Sequence, residues 1–183
     1  MTEHSHKIPE ILERDSAILR EKAKTVPLGE VGSVRVRKAI ADMKTAMHGQ
    51  KDGIAIAAPQ IGVPLRIFVI SGKLLKQADK TYRGDGSDLI FVNPEITKRS
   101  RDKKEVEEGC LSVRWLYGKV RRSTRVTLKA LDEHGKKSER GASGLLAQIF
   151  QHEVDHLEGI LFIDKARELW EMTPEEIAEL NKK

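Results

Sequence analysis

The chain has 183 residues, 39% of them hydrophobic, enough to bury a core of its own, and supports a single domain over residues 1–183. One cysteine, Cys110, excludes an intramolecular disulfide and with it a bridge-stapled secreted design. The 33 Lys and Arg against 28 Asp and Glu give a formal net charge of +5, but residues 98–125 alone carry ten basic and four acidic residues, so the basic character is local.

The opening MTEHSHKIPEIL has neither the apolar core of a signal peptide nor the acid-free, arginine-rich character of an organellar transit peptide. No later stretch approaches the roughly 20 apolar residues of a membrane span, and a cytoplasmic chain without membrane contacts is expected. His4 and His6 sit in this polar terminus and receive no ligand role. Residues 15–24 read as a turn and short helix. Over residues 34–48, Val36, Ala39, Ile40, Met43, Ala46 and Met47 share one helical face, with Arg35, Arg37, Lys38, Asp42 and Lys44 on the others. That predicts a core-packing helix closed by Gly49, its methionines filling core gaps.

GIAIAAPQ follows at residues 53–60, small residues interleaved with isoleucine, strand-like and able to lie against a ligand. Residues 65–70 and 89–92 predict short apolar strands, with Asn93 and Pro94 as the turn after the second. The glycine- and charge-rich residues 71–88 between them read as a surface excursion. The basic residues 98–125 suit a solvated surface loop, or a surface for RNA phosphates. Residues 126–131 predict another strand, and DEHG at residues 132–135 a hairpin turn into one more, which makes His134 a turn residue. Thr173 and Pro174 open a short C-terminal helix that is mostly acidic.

The stretch QHEVDHLEG at residues 151–159 carries the chemistry. Leu145, Leu146, Ile149, Phe150, Val154 and Leu157 recur at helical spacing, and Gly159 stands where a left-handed cap belongs, which predicts a helix over residues 144–158. His152 and His156 are then one turn apart on one face with Glu153 beside them, the H-E-x-x-H arrangement of two metal ligands and a proton-handling glutamate. The same pattern also fits a buried amphipathic helix that happens to carry two histidines. A third ligand separates the readings. Cys110, in EGCLS at residues 108–112, suits that place because thiolate is a strong donor, although a lone cysteine is more often a small buried hydrophobe. Gly109 beside it permits a close backbone approach.

The segments GIAIAAPQ, EGCLS and QHEVDHLEG, in this order and at these separations, resemble the three signature motifs of peptide deformylases. Further likeness runs through LRIFVI, FVNPEI, RVTLKALDEHG and LFID and covers most of the chain. The resemblance implies a metal-dependent hydrolase that takes the formyl group from the N-terminal formylmethionine of newly made proteins. Its fold would be α+β, with antiparallel β-sheets packed around a central metal-binding helix and an N-terminal helix. Cys110, His152 and His156 would hold one divalent metal, Fe2+ in the cell with Zn2+, Ni2+ or Co2+ as substitutes, and Glu153 would move the proton. The Gln60 amide and the Leu111 backbone N–H would stabilise the oxyanion. Gly53, Ile54, Ala55 and Gly109 would line the extended substrate, and Glu108 would pair with Arg122 behind the metal. N-formylmethionyl nascent peptides would be the partners, with transient ribosome contact and no DNA.

This chain departs from the family pattern in three places. Ser16 and Ala17 replace a usual proline, Ala55 replaces a usual glycine, and Val113 leads to Arg114 and Trp115 in place of proline and a small or polar residue. The expectation for Ala55 is that its added methyl crowds the substrate. Two readings of other classes stand beside the resemblance: a general H-E-x-x-H metallopeptidase, and a non-enzymatic, metal-stabilised RNA-binding domain.

Overall fold

A computed structural model describes residues 8–182; His4 and His6 lie outside the described residues. Eight strands and four α-helices are present among them. Strands β1 (Ala55–Ala57), β2 (Ile67–Ile70), β3 (Leu89–Arg99), β6 (Arg125–Leu131) and β7 (Lys137–Ser143) form a five-stranded sheet in the order β1-β2-β3-β6-β7. Strands β4 (Lys103–Cys110), β5 (Val113–Ser123) and β8 (Arg167–Glu171) form a second sheet in the order β4-β5-β8. Every strand pairing within the two sheets is antiparallel.

Helices α1 (Val34–His48) and α3 (Gly144–Leu157) cover opposite faces of the larger sheet. The reason can be read from β2, whose sequence IFVI is buried on both sides. Side chains alternate along a strand. Phe68 and Ile70 therefore join Phe91, Leu146 and Phe150 under α3, while Ile67 and Val69 join Val36, Ile40, Met43 and Met47 under α1. Phe68, Phe91 and Phe150 make a mutually packed aromatic trio with centroids 4.7 to 6.1 Å apart. A third cluster, with Leu19, Val113, Val120, Leu161 and Phe162, backs the smaller sheet. The α+β class, the predicted N-terminal helix and the central helix are all present, and α3 ends one residue before its expected limit, followed by Gly159 at φ 74°.

Three expectations are corrected. Asn93 and Pro94 do not end a strand: β3 runs on to Arg99 through a register shift at this point, with Asn93 at φ 52°. A bulge tolerates proline within a sheet, and asparagine enters the left-handed region more readily than other side chains. The Asn93 amide locks the bulge by accepting from the Val26 N–H and donating to the Val26 carbonyl, both at 2.8 Å. The excursion at residues 71–88 contains a helix, α2 (Gly72–Ala78), capped by Ser71 and anchored by buried Leu75. Residues 98–125 are mostly strand, not loop: β4 and β5 pair over their whole lengths with charges facing each other, Glu105 opposite Arg121 and Glu107 opposite Lys119.

The C-terminal helix α4 (Pro174–Lys182) starts as expected, with Thr173 and Glu176 capping each other reciprocally. Replacing Asn93 tests the bulge. Asn93→Ala should lower stability by about 2–3 kcal/mol, because two backbone groups lose their partners and alanine resists a positive φ. Asn93→Gly should recover part of that loss, and urea midpoints of the two variants measure the difference.

Candidate active site

Helix α3 lies between the two sheets, and its polar side faces the β4–β5 hairpin. Its apolar residues Leu146, Ile149, Phe150 and Val154 are committed to the larger sheet. His152, Asp155 and His156 are thereby turned towards β4 and β5, where Cys110 ends β4. Cys110 Sγ is 3.2 Å from His156 Nε2, and the two imidazoles lie 4.9 Å apart at 70°. One donor atom each from Cys110, His152 and His156 falls within 4.8 Å of the others, the only such group among the described residues.

This donor set fits a divalent metal. His152 Nδ1 is 3.0 Å from Glu108 Oε2, which leaves Nε2 for a cation and fixes the ring, as outer-shell carboxylates do for histidine ligands. Burial opposes a thiolate at Cys110, but the charge of His156 and the hydrogen bonds of both histidines outweigh it and hold the thiol down at about 5. Cys110 is therefore in its ligating form at neutral pH.

Glu108 is held in turn by Arg122, whose Nε and second Nη reach the two carboxylate oxygens at 2.8 Å each. The remaining Arg122 Nη donates to Asp155 at 2.6 Å, and Lys165 binds the other Asp155 oxygen at 2.6 Å. Burial alone would raise the Glu108 carboxyl, yet Arg122 and His152 hold it down at about 2. The same carboxylates push Arg122 upward against burial. Asp155 is a member of this network that the sequence reading missed. Its one signal was a second carboxylate, two residues after Glu153, in the same helix.

Glu153 is 3% exposed, and its Oε2 has no hydrogen-bond partner. Burial pushes its carboxyl up, against the pull of His152 and His156. Gln60 is 1% exposed and sits in the 3-10 turn Ala58–Ile61. Its oxygen accepts from the Ala57 N–H at 2.8 Å, so its NH2 must face the other way, towards Ser112 Oγ at 3.1 Å and Cys110 Sγ at 3.5 Å. Buried Ser112 was not foreseen.

A cleft of about 270 Å3 opens over these groups, with Ile54, Ala55 and Gln60 on one wall and the β4–β5 turn with Leu111 on the other. Gly109, Glu108, His152 and Glu153 also line it, whereas Gly53, Arg122 and His156 do not. Gly53 has a different reason to be glycine: a Cβ there would stand 2.2 Å from the Met47 carbonyl at the end of α1. At Gly109 a Cβ would meet the Tyr117 ring at 2.6 Å.

Comparison with known proteins decides the family. The polypeptide deformylase family model matches residues 8–171. This chain belongs to that family. Peptide deformylase from Pseudothermotoga lettingae is 41% identical over 147 residues, covering 80% of this chain and 76% of that protein. The chloroplastic/mitochondrial peptide deformylase 1A of Arabidopsis thaliana is also 41% identical, over 86% of this chain, which spans only 61% of that relative's length. A Met-Ala-Ser-bound class I type b peptide deformylase from Acinetobacter baumannii superposes with a TM-score of 0.78 at 32% identity, over 87% of this chain and 98% of that one.

The deformylase-like frame sharpens the reading of Ala55. Ala55 is 8% exposed and packs in the apolar cluster beneath α3 while also lining the cleft, so its methyl has a packing role as well as a place on the cleft wall. Ala55→Gly should therefore lower stability by about 0.5–1 kcal/mol through added backbone freedom, with no gain in kcat/KM on formylated peptides. Thermal melts and steady-state kinetics on one preparation check both halves. At the metal site, Glu108→Gln should weaken Co2+ binding about 10- to 100-fold by loosening His152. Chelator competition measures the affinity, and circular dichroism verifies that the fold is kept.

Proposed function

We propose that this chain hydrolyses the N-formyl group of N-terminal formylmethionine on newly synthesised polypeptides, releasing formate. The observation that carries the reading is the convergence of three donor atoms beside a buried carboxylate with one unpartnered oxygen, under a cleft lined by Gln60, whose amide NH2 lies beside the Cys110 sulfur. Family membership supports the same reading. Cys110, His152 and His156 would hold one divalent metal, Fe2+ in the cell with Zn2+, Ni2+ or Co2+ able to replace it. When bound, the metal supplies Lewis-acid polarisation and a more acidic water.

The remaining work falls to the protein's own groups. β1 is paired only with β2 and presents its other edge, so an extended peptide can add alongside Ile54 and Ala55 through main-chain hydrogen bonds. Gly53 and Gly109 keep the flanking backbone close-packed. Glu153 Oε2 takes a proton from the attacking water as the water oxygen bonds to the formyl carbon. Its raised carboxyl suits it to return that proton to the amine nitrogen as the C–N bond breaks. The Gln60 NH2 and the Leu111 backbone N–H donate to the oxygen on which negative charge develops.

A transient contact with ribosomal RNA in the cytoplasm fits the chain's charge. Lys98, Arg99, Arg101, Lys103 and Lys104 are exposed and make no ion pair among the described residues. No described helix is long and apolar enough to cross a membrane.

Iron(II)-loaded protein incubated with formyl-Met-Ala-Ser without oxygen should release formate and leave the tripeptide otherwise intact. Internal peptide cleavage without formate would instead establish a general metallopeptidase. Glu153→Gln should keep its metal and lose about 10²- to 10⁴-fold in turnover, since an amide cannot accept the proton. Metal content and formate release measured on one sample decide it, and near-normal turnover would remove Glu153 from the mechanism.

A further inference from the structure

Two cleft residues take no part in the mechanism above and face one another. Asp52 lies in the turn before β1, and Arg114 is the second residue of β5. Both line the cleft. One Arg114 Nη donates to both Asp52 carboxylate oxygens, at 3.0 and 2.8 Å, and the other donates to Gln50 Oε1 at 2.5 Å. The guanidinium also lies 5.4 Å from the centre of the Trp115 ring. Trp115 adopts φ 66°, a left-handed backbone that a bulky residue rarely takes. The pair is about one-third exposed, with side chains at 29% and 34%.

Its place along the cleft gives it a role. Gln60 touches Cys110 at the metal-donor end. The chain leading back from Gln60 through β1 to Asp52 runs away from that end. On the deformylase reading, a peptide laid along β1 with its formyl oxygen at Gln60 carries its later side chains past Arg114 and Asp52.

We propose that the Arg114–Asp52 ion pair selects substrates by the charge of the side chains that follow methionine. The inference rests on that reading of the site. An ion pair about one-third exposed contributes little free energy, so it can be opened by a charged newcomer at modest cost. Uncharged side chains pass a neutral pair undisturbed. An acidic side chain must displace Asp52 from Arg114, and a basic one must displace Arg114 from Asp52. The native protein therefore favours neutral residues after methionine, and removing either partner leaves one sign of charge exposed on the cleft wall.

The test compares kcat/KM for formyl-Met-Ser-Ser, formyl-Met-Glu-Glu and formyl-Met-Lys-Lys at low ionic strength. Arg114→Ala should raise the Lys-to-Glu ratio about three- to ten-fold, and Asp52→Ala should lower it by a similar factor, both mainly through KM. The exchanged pair, Arg114→Asp with Asp52→Arg, should return the ratio towards the native value. The shifts should fade in 0.5 M salt, on the order of the screening expected for exposed charges. Equal losses on all three peptides in each variant would make the pair a merely structural tie and overturn the proposal. Native protein that releases no formate from any of the peptides would overturn the deformylase reading and the proposal with it.

Discussion

The arrangement depends on one buried cation. Arg122 has a side chain only 6% exposed, and a guanidinium cannot shed its proton to escape burial, so the fold must supply anions around it. Glu108 from the adjacent strand and Asp155 from the helix supply them. That requirement ties the smaller sheet to α3 at a fixed height and rotation. Glu108 Oε2 still has a lone pair free for His152, and that ring is oriented as a by-product of satisfying Arg122. Because the Glu108 carboxyl is held at about 2, well under its ordinary 4.5, the clamp contributes fully above the ordinary carboxylate range. Its contribution fades as pH falls towards the folded value, so Glu108 stays ionised and in place beside His152 at neutral pH.

Gln151 makes a second tie of the same kind without charge. Its amide accepts from the Ser123 N–H and donates to the Ser123 carbonyl, both at 3.0 Å, fastening α3 to the end of β5. With the apolar face of α3 sealed onto the larger sheet by Phe150 and Leu146, the helix is held on both sides. Rigid support of this sort matters because three donor atoms must keep their spacing before any ion arrives to hold them.

What could be read from the sequence was what local spacing encodes. The helix of residues 144–157 announced itself through apolar periodicity, and His152 and His156 through their one-turn separation. The strands at 67–70 and 125–131 were legible because buried strands are apolar runs. β4 and β5 were not, because charged residues stand opposite one another along the hairpin and leave little apolar alternation to detect. The bulge at Asn93 depends on Val26, 67 residues away, and α2 is a seven-residue helix with one fully buried leucine. Asp155 could be placed on its helix, but its partner on β5 could not be assigned from spacing alone. Asp52 and Arg114 are likewise neighbours only after the two sheets have come together.

The centre and the rim use the same pair of chemical groups for opposite ends. At Arg122 the guanidinium–carboxylate contact is buried, and removing one partner strands a charge away from water, so the contact acts as a fixed brace. At Arg114 the geometry is similar, with two carboxylate oxygens in reach, but water covers about a third of each side chain and supplies a ready substitute for either partner. Exchange there is cheap. Burial, and not the identity of the residues, thus separates the pair that must hold a ligand still from the pair that can be traded for a passing substrate. A site that has to treat every newly made chain alike at the formyl group, while those chains differ in all that follows, is served by that gradient from rigid to exchangeable.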